Sequence, residues 1–220
     1  MRVTLLMPEG RAIDESAIPS EVRATHGGVC AEAEGAAARA WYWPEAREVV
    51  AKHRSHVTLE LEGEEDEGEI DRALRLTRVA ASLAASAGAV LYAAEGVALV
   101  HSAAAWIEQS ADATPDDLPL YLWVAFEGTK NADGTLGMRT HGVRALIGEG
   151  APACEVEVES SKRDGEAILD HVYDVALYAL TSPEPIESGE PLETTHGKVR
   201  VRIEPSLRND GTKAYRVRLA

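Results

Sequence analysis

Residues 57–93 read VTLELEGEEDEGEIDRALRLTRVAASLAASAGAVLYA and combine a strand, a long helix and a second strand. The first five residues alternate between apolar and polar, which is the pattern of a strand with one buried face. In the acidic run that follows, Asp66 and Glu69 have the form of a capping box that begins a helix. Apolar residues recur at helical spacing over 70–87, and the last residues, Ala89–Ala93, predict a short buried strand.

The flanking sequence supplies further elements of both kinds. Val3–Met7 predicts a strand and Ala98–Gln109 predicts a helix. The continuously apolar run Leu120–Phe126 is typical of a central strand that is covered on both faces. Asp164 is suited to cap a long helix, which a Ser-Pro pair ends at Pro183.

These elements predict an α+β fold in a single domain, residues 1–220, with a mixed, largely antiparallel sheet and helices packed mainly on one face. Residues 1–40 form a less regular N-terminal segment, and the alanine- and glycine-rich part of it, 27–40, is interpreted as a loop. Residues 198–220 predict a C-terminal β-hairpin with its turn at Asn209-Asp210-Gly211. The outer face of this hairpin would carry Arg200, Arg202, Arg216 and Arg218.

Charge and composition narrow the classes of function. The formal net charge is −15, and a field of this sign repels phosphate backbones and anionic lipids while it attracts basic proteins. Nucleic-acid and membrane partners are therefore disfavoured. Cys30 and Cys154 lie far apart without a CxxC pair, and no apolar run is long enough for a secretory leader or a membrane span. The sequence thus predicts a cytoplasmic protein without a disulfide framework.

Familiar catalytic and nucleotide-binding motifs are absent from the sequence. Because it contains no GxGxxG, P-loop, GxSxG or HExxH, we predict no catalytic residue and no cofactor. Glu155, Glu157 and Glu159 occupy alternate positions of a predicted strand, where neighbouring carboxylates could serve as acid and base. We interpret them instead as a solvated sheet face that pairs with the arginines of the terminal hairpin.

The tripeptide Thr-His-Gly occurs three times, at His26, His141 and His196. Three histidines could bind zinc, with Glu155 or Glu157 activating a water molecule, and the chain would then be a metal-dependent hydrolase. The same tripeptide is typical of a turn with an exposed histidine, which is the interpretation that we favour. A further HxxH pair at positions 53 and 56 lies where a strand begins, so it lacks the helical face that such a pair needs.

Two groups of residues favour a binding role. The acidic run offers carboxylates to a basic partner at Glu60, Glu62, Glu64, Glu65, Asp66 and Glu67. Trp41 and Trp43 flank Tyr42 in a chain with few aromatic residues, and rigid aromatic side chains often anchor interfaces. Two alternatives remain open for the indoles: they share one buried face of the core, or they line a pocket for a small ligand.

From about Trp43 to Pro205 the order of features resembles an uncharacterised bacterial family, the domain of unknown function four-two-six-one. The resemblance rests on His53–Val57, the helix near Asp71, Leu118–Phe126, Arg139–Val143, the acidic strand Glu155–Glu159, the helix Ile168–Leu180 and the segment at Gly189. It implies that Thr140-His141-Gly142 is a turn between strands, and it brings no catalytic residues.

The function that these observations favour is that of a non-enzymatic, acidic protein-binding protein. In its most concrete form it is an immunity or antitoxin-like inhibitor that masks a basic toxin or effector domain. The alternatives are the three-histidine hydrolase and the small-ligand binding module.

Overall fold

The computed structural model describes residues 1–61, 67–147, 154–189 and 191–219. The chain divides into two compact units, Met1–Trp123 and Val124–Ala220. The α+β class and the largely antiparallel pairing are confirmed. The strands that the sequence predicts within one sheet are distributed over two sheets, one in each unit.

The sheet of the N-terminal unit has five antiparallel strands. They are β1 (Arg2–Pro8), β2 (Val22–Gly27), β3 (His53–Leu61), β4 (Ala89–Ala94) and β5 (Val97–Ser102). Their order across the sheet is β2-β3-β1-β4-β5, so that β5 is an edge strand. Four helices and one helical turn accompany them: α1 (Ala31–Arg39), α2 (Ala46–Ala51), α3 (Glu69–Ala84), α4 (Ala103–Ala111) and the turn α5 (Leu120–Trp123).

Helices cover both faces of this sheet. The alanines of α1 and the apolar residues of α2 form a buried cluster with Leu6, Leu91 and Val100 on one face. Because successive strand residues point to opposite faces, His101 lies on the other face, where its ring packs against Trp106 of α4 at 6.0 Å between ring centroids. Trp106 Nε1 donates to the Thr77 carbonyl of α3 at 3.2 Å, so α3 and α4 are joined on that face.

Three predicted elements of this unit are wrong. Residues 27–40 contain helix α1 rather than a loop, because alanines spaced three and four apart pack on the sheet although they give little contrast in hydropathy. The helix predicted for Ala98–Gln109 is strand β5 followed by α4, with Ser102 Oγ accepting from Ala105 N at 3.1 Å as the cap. The strand predicted at Leu120–Phe126 is the turn α5 followed by a strand that begins at Ala125.

The capping box predicted for α3 is also wrong. The residue at the N-cap is Gly68, which has no side chain to accept a hydrogen bond, and Glu69 is the first helical residue. Asp66 lies outside the described residues. The helix itself is confirmed over Glu69–Ala84, since its apolar face is long and regular.

The C-terminal unit contains a six-stranded sheet and one long helix. The strands are β6 (Ala125–Lys130), β7 (Leu136–His141), β8 (Glu155–Ser161), β9 (Pro191–Thr194), β10 (Gly197–Pro205) and β11 (Lys213–Arg218). Their order is β6-β7-β8-β11-β10-β9, and the β8–β11 pair is parallel. Helix α6 (Gly165–Thr181) begins as predicted, with Asp164 Oδ1 accepting from Ala167 N at 2.8 Å.

The two faces of this sheet differ in character. One face is apolar and packs under α6, where Phe126 of β6 stacks on Tyr173. The predicted hairpin is confirmed, and its register pairs Arg200 with Arg218 and Arg202 with Arg216 on the opposite, charged face. No helix of the described ranges is long and apolar enough to cross a membrane.

Candidate functional site

A ladder of four aromatic rings leads from the surface of the N-terminal unit to its core. Trp41 packs edge-on against Tyr42 at 6.0 Å, and Tyr42 stacks on His101 at 5.5 Å. His101 then contacts Trp106, which is fully buried. The outermost ring is the most accessible large apolar side chain of the described residues, since 75% of Trp41 is exposed. We call these four residues the aromatic ladder.

The ladder is held rigidly at the edge of the sheet. Tyr42 Oη donates to the Val100 carbonyl of edge strand β5 at 3.0 Å, and the ring remains 41% exposed. Burial of the hydroxyl raises the pKa of Tyr42 to about 12, so that it stays a donor at neutral pH. An exposed Trp beside a fixed Tyr loses little conformational entropy on binding, which is a property of hot-spot residues in protein interfaces.

His101 is the buried link of the aromatic ladder. Within the described residues its Nε2 has no hydrogen-bond partner, although the ring bonds to the Leu122 carbonyl. Burial lowers the pKa of His101 to about 4, because the charged imidazolium would be desolvated between the rings. The ring is therefore neutral at physiological pH.

We expect this histidine to make stability depend on pH. In the unfolded chain it titrates near 6.5, so the unfolded state binds the proton first as the pH falls. The free energy of unfolding therefore has its full value above pH 6.5 and decreases as the pH falls towards 4, by about 3 kcal/mol in total. In urea unfolding across this pH range, the free energy of unfolding should decrease more steeply with falling pH for the wild type than for His101→Phe. Equal slopes would contradict the prediction.

The two tryptophans proposed as partner-binding residues have different environments. Trp43 packs against the buried cluster of α1 and α2, whereas Trp41 faces solvent. The alternative that both indoles share one buried face is therefore wrong. A pocket lined by both is not supported either, because Trp43 is partly buried against the cluster while Trp41 faces solvent. Trp41 keeps the exposure that an anchor needs.

The predicted acidic contact surface is only partly described. Glu62, Glu64, Glu65 and Asp66 lie outside the described residues. Glu67 is 14% exposed and bonds to Arg75 at 2.8 Å, with Arg72 at 3.8 Å, so its charge is neutralised within the chain. Glu60 is half-buried on β3, where it is paired across the sheet with Arg23.

The three Thr-His-Gly histidines do not form a metal site. His26 pairs with Glu15 at 3.4 Å, His141 with Glu127 at 2.9 Å and His196 with Asp170 at 3.1 Å. Strands β8 and β11 separate β7, which carries His141, from the β9–β10 turn that carries His196, a distance of roughly 14 Å across the sheet. In the part of the chain that the structure describes, no three His, Cys, Asp or Glu side chains are arranged to hold a metal ion.

The remaining histidines serve the fold. His53 is buried and its Nε2 accepts from Cys30 N at 2.8 Å at the start of α1, while His56 Nδ1 bonds to the Gly28 carbonyl. His171 is buried beneath the C-terminal sheet, where Arg163 Nη1 donates to its Nε2 at 2.9 Å. Since arginine can only donate, that imidazole is neutral and its Nδ1 donates to Thr194 Oγ1. Burial lowers the pKa of His171 as well.

The strand carboxylates considered as acid and base are engaged in structural bonds. Glu155 accepts from the backbone N–H groups of residues 142–144 at 2.9 to 3.4 Å and so fixes the turn after β7. Glu157 is 1% exposed and accepts from Ser206 Oγ at 2.7 Å and Leu207 N at 2.9 Å. Glu159 pairs with Arg216 at 2.6 Å, which agrees with the predicted pairing to the hairpin arginines, but the interpretation of this face as solvated is wrong for Glu157.

Sequence reasoning missed two members of the aromatic ladder, His101 and Trp106. The run Trp41-Tyr42-Trp43-Pro44 marked the region, but which of its rings is exposed depends on the packing of α1 and α2. His101 carried no signal, because it lies in a segment that was predicted to be a helix. A strand prediction there would have placed it on the face opposite Val100.

Comparisons of the chain with models of protein families, with curated proteins and with solved structures gave no significant match. The resemblance to the domain of unknown function four-two-six-one therefore stays a prediction.

Proposed function

We propose that this chain is a non-enzymatic, acidic protein-binding protein that uses Trp41 and Tyr42 as its anchor. In its most concrete form it is an immunity or antitoxin-like inhibitor that masks a basic toxin or effector domain in the cytoplasm. The observation that carries the proposal is the 75% exposure of Trp41 next to a tyrosine that is fixed to the sheet edge.

The aromatic anchor supports a protein partner more than a small ligand. Small-ligand sites are concave and bury most of the ligand surface, whereas Trp41 projects from the end of α1 into solvent. A projecting indole contributes most when it enters a pocket of another protein, and such residues are commonly hot spots. The rigidity of Tyr42 reduces the entropy lost on association.

The distribution of charge supports a basic partner. The N-terminal unit contains 10 basic and 21 acidic residues, a formal net charge of −11, and the C-terminal unit contains 12 basic and 16 acidic residues, a net charge of −4. The unit with the aromatic ladder thus has most of the negative charge. Such a field speeds encounter with a basic protein and selects against acidic ones.

The proposal is tested by capture of the partner from the source cell lysate at low and high salt, followed by calorimetry with the purified partner. We expect a basic protein whose binding weakens as salt rises. Trp41→Ala should weaken binding by thirtyfold or more, since truncating a hot-spot residue costs about 2 kcal/mol or more. Co-expression with the wild-type chain should suppress any toxicity of that partner.

Tyr178→Ala is the matched control for this experiment. Tyr178 is a 40% exposed aromatic residue of α6 in the other unit, and its truncation should leave the affinity unchanged within about twofold. Equal losses for Trp41→Ala and Tyr178→Ala would contradict the anchor, and a salt-insensitive or acidic partner would contradict the charge argument.

Neither alternative function gains support. The hydrolase depends on histidines that each engage a different carboxylate, and the ligand-binding module depends on two indoles that lie in different environments.

A further inference from the structure

The charged face of the C-terminal sheet carries a cationic surface in an otherwise acidic chain. Arg200 and Arg202 of β10 and Arg218 of β11 are exposed on this face. We call these three residues the arginine strip. It lies in the C-terminal unit, whereas Trp41 lies in the N-terminal unit.

The arginine strip places like charges side by side, and one nearby carboxylate offsets only part of their charge. Arg200 lies directly opposite Arg218, and Arg202 lies opposite Arg216. Like charges at directly opposed positions destabilise a sheet, so an anion bound over them would relieve a repulsion. The nearest carboxylate is that of Glu204, whose oxygens are 3.9 Å from Arg202 and 3.6 Å from Arg218. Both distances are those of ion pairs, so Glu204 offsets one of the three positive charges and the strip keeps a net positive charge.

The same sheet shows how such arginines bind carboxylates. On the other side of β11, Arg216 Nη2 bonds to Glu159 at 2.6 Å and Arg216 Nε lies 4.0 Å from Glu157. These glutamates occupy alternate positions of the neighbouring strand β8, which runs parallel to β11. Both β10 and β11 are interior strands, so a bound peptide would lie over this face, where carboxylates at alternate positions would match the repeat of Arg200 and Arg202, roughly 6.8 Å.

We propose that the arginine strip binds an acidic polypeptide segment in extended conformation, with carboxylates at alternate positions. Charge complementarity supports an anion, and the repeat of the strip supports a β-like peptide. A nucleic acid fits less well, because its backbone would extend beyond three arginines onto a unit with a net charge of −4. A short acidic peptide confines its charge to the strip.

The test uses the full-length protein and fluorescence anisotropy at low salt. The probe is a labelled peptide of about twelve residues in which Glu alternates with Thr. A second peptide has the same composition with its glutamates in one block, and a third probe is a thymidine oligonucleotide of similar length. We expect saturable binding of the alternating peptide that weakens with salt, and weaker binding of the other two probes.

The variants locate the binding site. Arg200→Gln combined with Arg202→Gln should weaken binding of the alternating peptide by about tenfold. Lys130→Gln combined with Lys162→Gln makes the same change in net charge at two exposed lysines away from the strip, and should stay within about twofold of the wild type. Unchanged circular dichroism spectra would show that both proteins are folded.

Three results would overturn the proposal: no binding by the wild type, equal losses in the two double variants, or equal affinity for the blocked peptide or the oligonucleotide. A tenfold loss confined to the arginine variant would support it.

Discussion

Trp106→Ala is expected to lower the free energy of unfolding by about 3–5 kcal/mol, the range for truncating a fully buried tryptophan. The indole fills the space between α3, α4 and His101, and its Nε1 donates to the Thr77 carbonyl. Its removal leaves a cavity in the core and removes the bond that joins α4 to α3. All four tryptophans lie in the N-terminal unit, so urea unfolding followed by tryptophan fluorescence reports on that unit.

The neighbouring residue of the same helix provides the control for this variant. Ile107 is 39% exposed, and Ile107→Ala should cost only about 1 kcal/mol because its side chain is smaller than that of Trp106 and is not fully buried. Similar losses for the two variants would mean that Trp106 does not join the helices as the structure indicates. Trp106 is also the buried end of the aromatic ladder, so the same variant removes the ring on which His101 packs.

Glu157→Ala is expected to lower the free energy of unfolding by about 3–5 kcal/mol through a different cause. The carboxylate is buried, holds the loop after β10 through Ser206 and Leu207, and lies beside the guanidinium of Arg216. Its loss leaves Ser206 Oγ and Leu207 N without this acceptor. The mostly buried guanidinium of Arg216 then has only Glu159 as a carboxylate partner among the described residues. Urea unfolding followed by circular dichroism should detect the change, and hydrogen exchange should place it at β8 and β11.

Glu159→Ala is a stringent control, because it removes a carboxylate that pairs with the same arginine. The side chain of Glu159 is 62% exposed, and exposed pairs contribute only about 0–1 kcal/mol. If the Glu159 variant loses as much stability as the Glu157 variant, burial is not the cause of the effect. If both variants are as stable as the wild type, the buried bonds of Glu157 contribute nothing to the fold.

The net charge of −15 is distributed unevenly between the two units. The N-terminal unit has most of the negative charge and the exposed indole, while the C-terminal unit presents the arginine strip. The two proposed surfaces therefore differ in sign and in chemistry.

Elements whose pattern is long or chemically explicit could be predicted from the sequence. Helices α3 and α6 have sustained apolar faces, Asp164 is a strong cap, and the terminal hairpin has regular alternation around an Asn-Asp-Gly turn. Alternation also placed Glu155, Glu157 and Glu159 on one face of β8. Local periodicity suffices in these cases because the same few residues decide both the element and its buried side.

The conformation of short apolar runs and the environment of single side chains depend on tertiary packing and could not be predicted from local sequence. Leu120–Trp123 is helical and Val97–Ser102 is extended, although both are short and largely apolar. A short apolar run can be buried in either conformation, so its hydropathy does not distinguish them. Trp41 and Trp43 are two residues apart, yet one faces solvent and the other packs under α1 and α2. Burial is a property of what lies opposite a side chain, and residues distant in the sequence supply that surface.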